Sequence, residues 1–592
     1  MPQKIDATQQ RKALEQFRHW SEEERRKAIK EREPFYGLQI EPTVAYYDEA
    51  AKHEPGENNW VGYGFDLQPM VFITSAILLF LFISGTLIFP TQAETFFDWL
   101  LNGIGNTFGW FYILAANLFI IVLALFAFSK FGTIRIGGPD AQPEFSRFAW
   151  YAMLLSAGMG IGLMFWSVAE PIYHYTDPSP MFGVLASTPD AAQAAMGTTY
   201  FHWGVHPWGI YALVALALAF FAYNRGLPLT IRSIFYPLLG NRIYGVWGNI
   251  IDILSVLATL FGLATSLGFG VQQVSAGLNF LFGLPSATWF SVLLIAVITG
   301  MATLSVMAGL DKGVKNLSTA NMYLAGAFLV FLLFVGPTVY ILGAFTQNLG
   351  YYIASLPRLS FWVETFHGAG TEGTSWQTAW TIFYWGWWIS WSPFVGMFIA
   401  RVSKGRTVRD FIISVMVIPS LLSFLWMATF GGAGLWLQST GTDLATAVNE
   451  NVATALFVML ENFPLTGITS VIGILLVTIF FVTSSDSGSL VVDHLTSGGK
   501  LDSPVPQRVF WAVMEGLCAA VLLIGGGLTA LQTAAITTGL PFAVVLVIMC
   551  YSLYEGLKEE LYHIEIAEAR EAEKEAKLDV RKVSQAAPAP GD

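Results

Sequence analysis

Charge is what this 592-residue sequence has least of. Only 12% of it is Asp, Glu, Lys or Arg, against about 25% in soluble globular domains. Together with 54% hydrophobic residues and apolar runs exceeding the ~20 residues that cross a bilayer, this excludes a soluble protein. The chain is an integral membrane protein. Cysteine is nearly absent: Cys518 and Cys550 both lie in apolar runs, which excludes a disulfide framework and a thiolate metal centre. No Gly-rich P-loop run occurs, so pumping must draw on an ion gradient. No constellation points to covalent or acid–base catalysis, and an enzyme is not expected. The start is polar and charged, without a signal segment. The net charge of -11 comes largely from acidic tails and loops and carries no sign of nucleic acid.

What the chain has is length of apolar sequence. Spans are expected at 70–89, 108–129, 148–172, 194–222, 247–275, 287–308, 314–344, 375–399, 407–430, 464–483, 508–526 and 532–554. That makes an all-α fold of twelve transmembrane helices. In it, all but one of the 31 Lys and Arg fall on one side, the exception being Arg358. The positive-inside rule then puts both termini in the cytoplasm of a cell whose inner membrane the chain crosses. Residues 1–62 are a cytoplasmic tail, 63–147 two peripheral spans and their loop, and 555–592 an acidic cytoplasmic tail. Residues 345–374 read as an amphipathic helix lying in the lipid interface, and NENVATALFVML in 431–463 as a surface helix.

Two spans carry breaks. In SAGMGIGLMFWSVAEP (156–171), Gly158, Gly160 and Gly162 alternate, which predicts an unwound segment. In YWGWWISWSPFVGMFIAR (384–401), Pro393 predicts that the helix opens near Ser390 and Ser392. Unpaired backbone at mid-membrane depth is tolerable where it lines a cavity. The broken spans begin two blocks of five, 148–344 and 375–554, on opposite sides of the membrane. This is the pattern of an inverted-topology repeat and of alternating access.

Aromatics cluster at the same places. Trp385, Trp387, Trp388 and Trp391 lie within seven residues, and FHWGVHPWGIY adds Trp203, Trp208 and Tyr211. Tryptophan faces hold cations, above all a methylated ammonium that cannot donate hydrogen bonds. The competing readings are an interfacial belt and plain core packing. His202 and His206 are four apart, but no carboxylate lies on that stretch to complete a metal site. A zwitterion's carboxylate would be answered by amides at the GMGIG break. FFVTSSDSGS supplies hydroxyls: Thr483 and Ser484, packed against carbonyls of Ser156 and Met159, suit sodium, although such side chains also bond back to their own helix. Thr259, Thr265 and Ser266 are candidates for a second ion site. Glu170, Asp252, Asp486, Asp493 and Glu515 are carboxylates that a membrane makes costly. The last three are candidates for pairing with Arg401, Lys404 or Arg409, and Glu515, alone well inside a span, reads as a structural group with a proton relay as the alternative.

GMGIGLMFWSVAEP, FHWGVHPW and WGWWISWSPFVGMFIARVSKGRTVRDF together resemble the betaine/carnitine/choline transporter family, over residues 60 to 555. The resemblance implies two inverted five-helix repeats of the LeuT-like type, a homotrimer in lipid and secondary transport of a small zwitterionic quaternary ammonium solute. It implies a site of Trp203, Trp208, Tyr211 and Trp388, with Trp387 and Trp391 along the inner path. It implies sodium held by Ser156, Met159, Phe480, Thr483 and Ser484, no other cofactor, and sodium-coupled glycine betaine uptake in osmoprotection. A glycine at 162, where choline-taking members tend to carry aspartate, favours betaine. Ectoine, proline, carnitine or choline, proton coupling or exchange are the alternatives. A channel or receptor is the different-class reading.

Overall fold

The computed structural model describes the backbone of residues 53–158, 160–308, 311–366 and 374–586, and the side chains of all these except 158, 308, 311–315 and 568–586. One antiparallel hairpin opens it, β1 (Trp60–Gly62) and β2 (Phe65–Leu67). Tyr63 and Gly64 turn it at positive φ, which matches the right-handed twist of the strands. Asn59 Nδ2 donates to the Ser497 carbonyl (2.9 Å), the Asp66 amide donates to Gln507 Oε1 (3.0 Å), and Asp66 pairs with Lys500. The hairpin is thereby clasped to the segment Ser497–Gln507, more than 400 positions along the chain.

The rest is helical. The main helices are α1 (Pro69–Ile88), α2 (Pro90–Phe128), α3 (Arg147–Gly158), α4 (Ile161–Thr176), α5 (Pro189–Trp203), α6 (Val205–Tyr223) and α7 (Val246–Phe282). There follow α8 (Thr288–Ala308), α9 (Asp311–Val335), α10 (Thr338–Phe361), α11 (Phe383–Val402), α12 (Val408–Ser439), α13 (Thr466–Thr496) and α14 (Val505–Ala586). Among the described residues, nine helical stretches are long and apolar enough to cross a bilayer, α5 and α6 counting as one. They become ten if α3 and α4 form one bent span. Every residue of α6 from His206 to Tyr223 is buried, as expected of a helix apolar all round. The apolar windows of α1, α8 and α9 are only 39%, 33% and 28% buried, which leaves broad faces for lipid.

Glycine interrupts three of the spans. Gly160 is extended (φ -163°, ψ -171°) and the chain turns by 65° between α3 and α4, at the break read from GMGIG. Gly204 separates α5 from α6, where a Cβ would sit 2.6 Å from the Tyr200 carbonyl oxygen. In α14, Gly526 and Gly527 leave helical geometry, Gly527 at φ 58°, ψ -129°. Beyond that kink the helix runs on through the acidic tail to Ala586. It is pinned there by the Arg225–Glu560 pair and by Lys130 to Glu565 at 2.9 Å.

Proline does not break α11, contrary to expectation. Pro393 lies inside a continuous helix. Its missing N–H leaves the Ile389 carbonyl without the usual partner, and the Ser392 hydroxyl donates to that oxygen at 2.7 Å. A neighbouring side chain thus repairs the ladder. The expected 314–344 span is also shorter. It ends at Val335, Gly336–Pro337 turn the chain, and α10 begins at Thr338 rather than 345. The surface helix expected after 431 is replaced by an extension of α12 to Ser439 and two short helices, Leu444–Glu450 and Ala455–Leu460; the second is largely buried.

Candidate functional site

Three broken or aromatic segments converge on a cavity of about 40 Å³. The α3–α4 break contributes Ala157, Gly160, Ile161, Gly162 and Leu163. Trp203, Pro207, Trp208 and Tyr211 come from the α5–α6 region, and Trp387, Trp388 and Trp391 from α11. Ser266 of α7 and Ser423 of α12 complete the wall. Among the described residues, no charged side chain lines it. Trp203 meets Trp388 edge to face (4.9 Å), Trp387 stacks on Trp388 (4.7 Å, 14°), and Tyr211 approaches both Trp208 (5.6 Å) and Trp388 (6.3 Å). These are the geometries the ring quadrupole favours.

The indole edges are all spoken for on four of these rings. Nε1 of Trp203 donates to Glu170 (2.7 Å), of Trp388 to the His202 carbonyl (3.0 Å), of Trp387 to Ser266 Oγ (3.0 Å) and of Trp391 to the Gly262 carbonyl (2.8 Å). With donors tied down, what remains to meet a ligand is the electron-rich face. Glycine at 162 is a steric necessity, since a Cβ there would lie 2.7 Å from Trp387 and 3.0 Å from Trp203. Gly160 cannot cap α4 with a side chain, so the partial positive charge of that helix start stands at the cavity wall. Gly158 is the last residue of α3, and Met159 lies outside the described residues.

Sequence reasoning named Glu170 and His202 but missed that they meet behind the rings. Glu170 is fully buried and accepts hydrogen bonds from Trp203 Nε1 (2.7 Å) and Tyr384 OH (2.5 Å) on one oxygen. The other lies 2.7 Å from His202 Nδ1 and 3.3 Å from His174 Nε2. His202 stacks on Tyr384 (4.6 Å), and its Nε2 meets Thr381 (3.0 Å) in the π-helical turn Thr378–Ile382. The carboxylate absent from the His202 stretch is therefore supplied by α4. Glu170, His174 and His202 are close enough to share a metal ion, but both carboxylate oxygens are already satisfied, and the group fits a buried charge held by its partners. His206 belongs elsewhere: it stacks on Trp385 and approaches Asn117 and Ser360. The signals for Glu170 were its membrane burial and its i,i+4 spacing to His174; nothing in the spacing revealed its other three partners.

The expected ion ligands are described less completely. Thr483 donates to the Ile479 carbonyl (2.9 Å) and approaches that of Phe480 (3.3 Å), bonding within its own helix. Ser484 and Ser156 are half-buried. Of the second set, Thr259 bonds back to Ser255 (2.7 Å), Thr265 bridges Phe261 and Leu531 of α14 (2.8 and 2.9 Å), and Ser266 supports Trp387. Asp252 is paired with Arg232, whereas Asp493 and Glu515 take the hydroxyls of Ser503 and Ser485 instead of the expected basic residues.

Residues 70–562 match the model of the BCCT, betaine/carnitine/choline family transporters. A glycine betaine/proline/choline transporter of Vibrio parahaemolyticus is 49% identical over 512 residues, 84% of this chain and 91% of that protein. A glycine betaine/proline/choline/ectoine transporter of the same organism is 46% identical, over 87% of this chain and 92% of its own. A glycine betaine transporter of Acinetobacter baylyi is 46% identical, over 83% and 74%. With an aromatic cavity walled by the interrupted α3–α4 and α5–α6 spans and the unbroken α11, and a family match across its apolar helices, this multi-pass membrane protein belongs to the betaine/carnitine/choline transporters, carriers rather than enzymes that move betaine-like solutes by secondary transport.

Proposed function

We propose that this transporter takes up glycine betaine by sodium symport and serves osmoprotection. The observation that carries the reading is the cavity wall. Three tryptophans with tethered N–H groups, Trp203, Trp387 and Trp388, stand with Tyr211 in an uncharged space, opposite the uncapped start of α4. A trimethylammonium group gains about 0.5–2 kcal/mol from such a ring face, and the carboxylate of the same solute suits a helix N-terminus. The names of the related transporters include this solute. Choline lacks a carboxylate to use the α4 end, and proline or ectoine lacks the trimethylammonium head.

The same reading takes Ser156, Met159, Phe480, Thr483 and Ser484 as the sodium ligands. It takes twelve spans, counting α3–α4, α11 and the two limbs of α14 separately, in two inverted five-helix repeats. Termini in the cytoplasm follow from the Lys and Arg distribution, and a homotrimer from the family. The test is labelled glycine betaine uptake into proteoliposomes with a sodium gradient, then with a proton gradient alone. Accumulation with sodium only, lost in Thr483→Ala, supports the whole reading. Accumulation with protons only removes the sodium site, and flux only against preloaded solute makes the protein an exchanger.

A further inference from the structure

Glu515 lies near the middle of an apolar run of α14 and is fully buried. Ser485 Oγ donates to its Oε2 at 3.0 Å. Its Oε1 has no hydrogen-bond partner among the described residues, and none of their ion pairs reaches it. Among the described residues, the titratable groups that interact with it electrostatically are Asp486, beside Ser485 on α13, and Cys518, one turn along its own helix. On the neighbouring position of α14, Gly516 packs against Thr299 of α8. Among the described residues, no basic group bears on it.

A carboxylate in such a place has two routes to stability. It can gather donors, or it can bind a cation. Removing an unpaired ion from water costs several kcal/mol even after relaxation, and one hydrogen bond to a charged group returns about 1.5–3 kcal/mol. Ser485 alone does not close that gap. A sodium ion would require several more oxygens than one hydroxyl and one carboxylate, since hard cations gather about six. A proton requires none.

We propose that Glu515 is a proton-binding site, occupied in this conformation, and that its protonated form is the one that transports. The neutral acid shares a hydrogen bond with Ser485, the residue that follows Thr483 and Ser484 on α13. Loss of the proton leaves a buried charge with Ser485 as its one hydrogen-bond partner among the described residues, on the helix that carries the proposed ion ligands. Transport therefore falls as pH rises through the titration of Glu515. The site rests on the family's transport activity but not on the choice of solute or of sodium.

Infrared difference spectroscopy on the purified full-length protein in lipid tests the proton directly. At neutral pH the wild type should show a neutral-carboxylic C=O stretch that shifts in deuterium oxide and is missing in Glu515→Gln. The same band in both proteins overturns the proposal. Proteoliposome uptake from neutral to alkaline pH then tests the role: the wild type should decline several-fold and Glu515→Gln should stay flat. An equal decline in both, or no decline in the wild type, overturns the role. If Glu515→Gln does not fold, Ser485→Ala serves, because it removes the acid's one partner and should move the band to higher frequency; an unmoved band overturns the assignment. A protein that shows the band yet takes up no betaine would fail the solute reading alone.

Discussion

The α4 wall and the α11 wall of the cavity face each other with opposite constructions. On the α4 side the backbone itself is offered: the helix is interrupted at Gly160, its start is uncapped, and Gly162 has no side chain because two indoles occupy the space. On the α11 side the helix is unbroken through Pro393, and large rings project from it, each fixed by a hydrogen bond at its edge. One wall is shaped by what is missing, the other by what is bulky. Both are needed for a zwitterion, whose two ends ask for a dipole and for a π face.

The comparison is broken most severely by removing a ring. Trp388→Ala deletes the face shared by Trp203, Trp387 and Tyr211, and loss of a contact of about 2 kcal/mol corresponds to roughly 30-fold weaker betaine binding. Quenching of tryptophan fluorescence and uptake read this, and Trp388→Phe, which keeps a face, should lose less. Glu170→Gln comes next. It removes the charge that holds Trp203, Tyr384 and His202 together, and breaking a buried charged network costs about 3–5 kcal/mol. Thermal unfolding should drop clearly and uptake should fall about tenfold, although the residue lines no part of the cavity.

Gly162→Ala and Gly160→Ala sharpen the contrast within the α4 wall. The first inserts a methyl 2.7 Å from Trp387, whereas the second has nothing within 4 Å and an extended backbone open to any residue. Overpacking costs about 1–3 kcal/mol, so Gly162→Ala should weaken binding severalfold or more while Gly160→Ala stays near wild type. The reverse order would show that φ/ψ freedom, not indole clearance, sets the glycines. Ser392→Ala should have the smallest effect. It strands the Ile389 carbonyl at a cost of about 1 kcal/mol in stability, with binding unchanged, because the ring wall keeps its other supports.

The sequence was most legible where one residue type acts alone. Alternating glycines announced the α3–α4 break, and the two tryptophan runs named every aromatic that lines the cavity. It was least legible where partners are distant in the chain. Pro393 looked like a break because its repair by Ser392 depends on a rotamer. Of the partners of Glu170, only His174 lies at a helical spacing from it; His202 and Trp203 lie on α5 and Tyr384 on the stretch opening α11. His202 and His206 looked like a pair because they share a helical spacing, yet Gly204 separates α5 from α6 between them.

The clasp between the amino-terminal hairpin and the segment around Ser497–Gln507 has a consequence for biosynthesis. Asn59 and its acceptor at Ser497 are 438 positions apart. At about 5–20 residues per second, the ribosome leaves the first strands without their partner for roughly 20–90 s after they emerge. During that time α1 to α13 are made and the spans among them must enter the bilayer in order while the hairpin waits on the surface. Its docking is then among the last events of folding, a closure that becomes available only when almost the whole chain has been made.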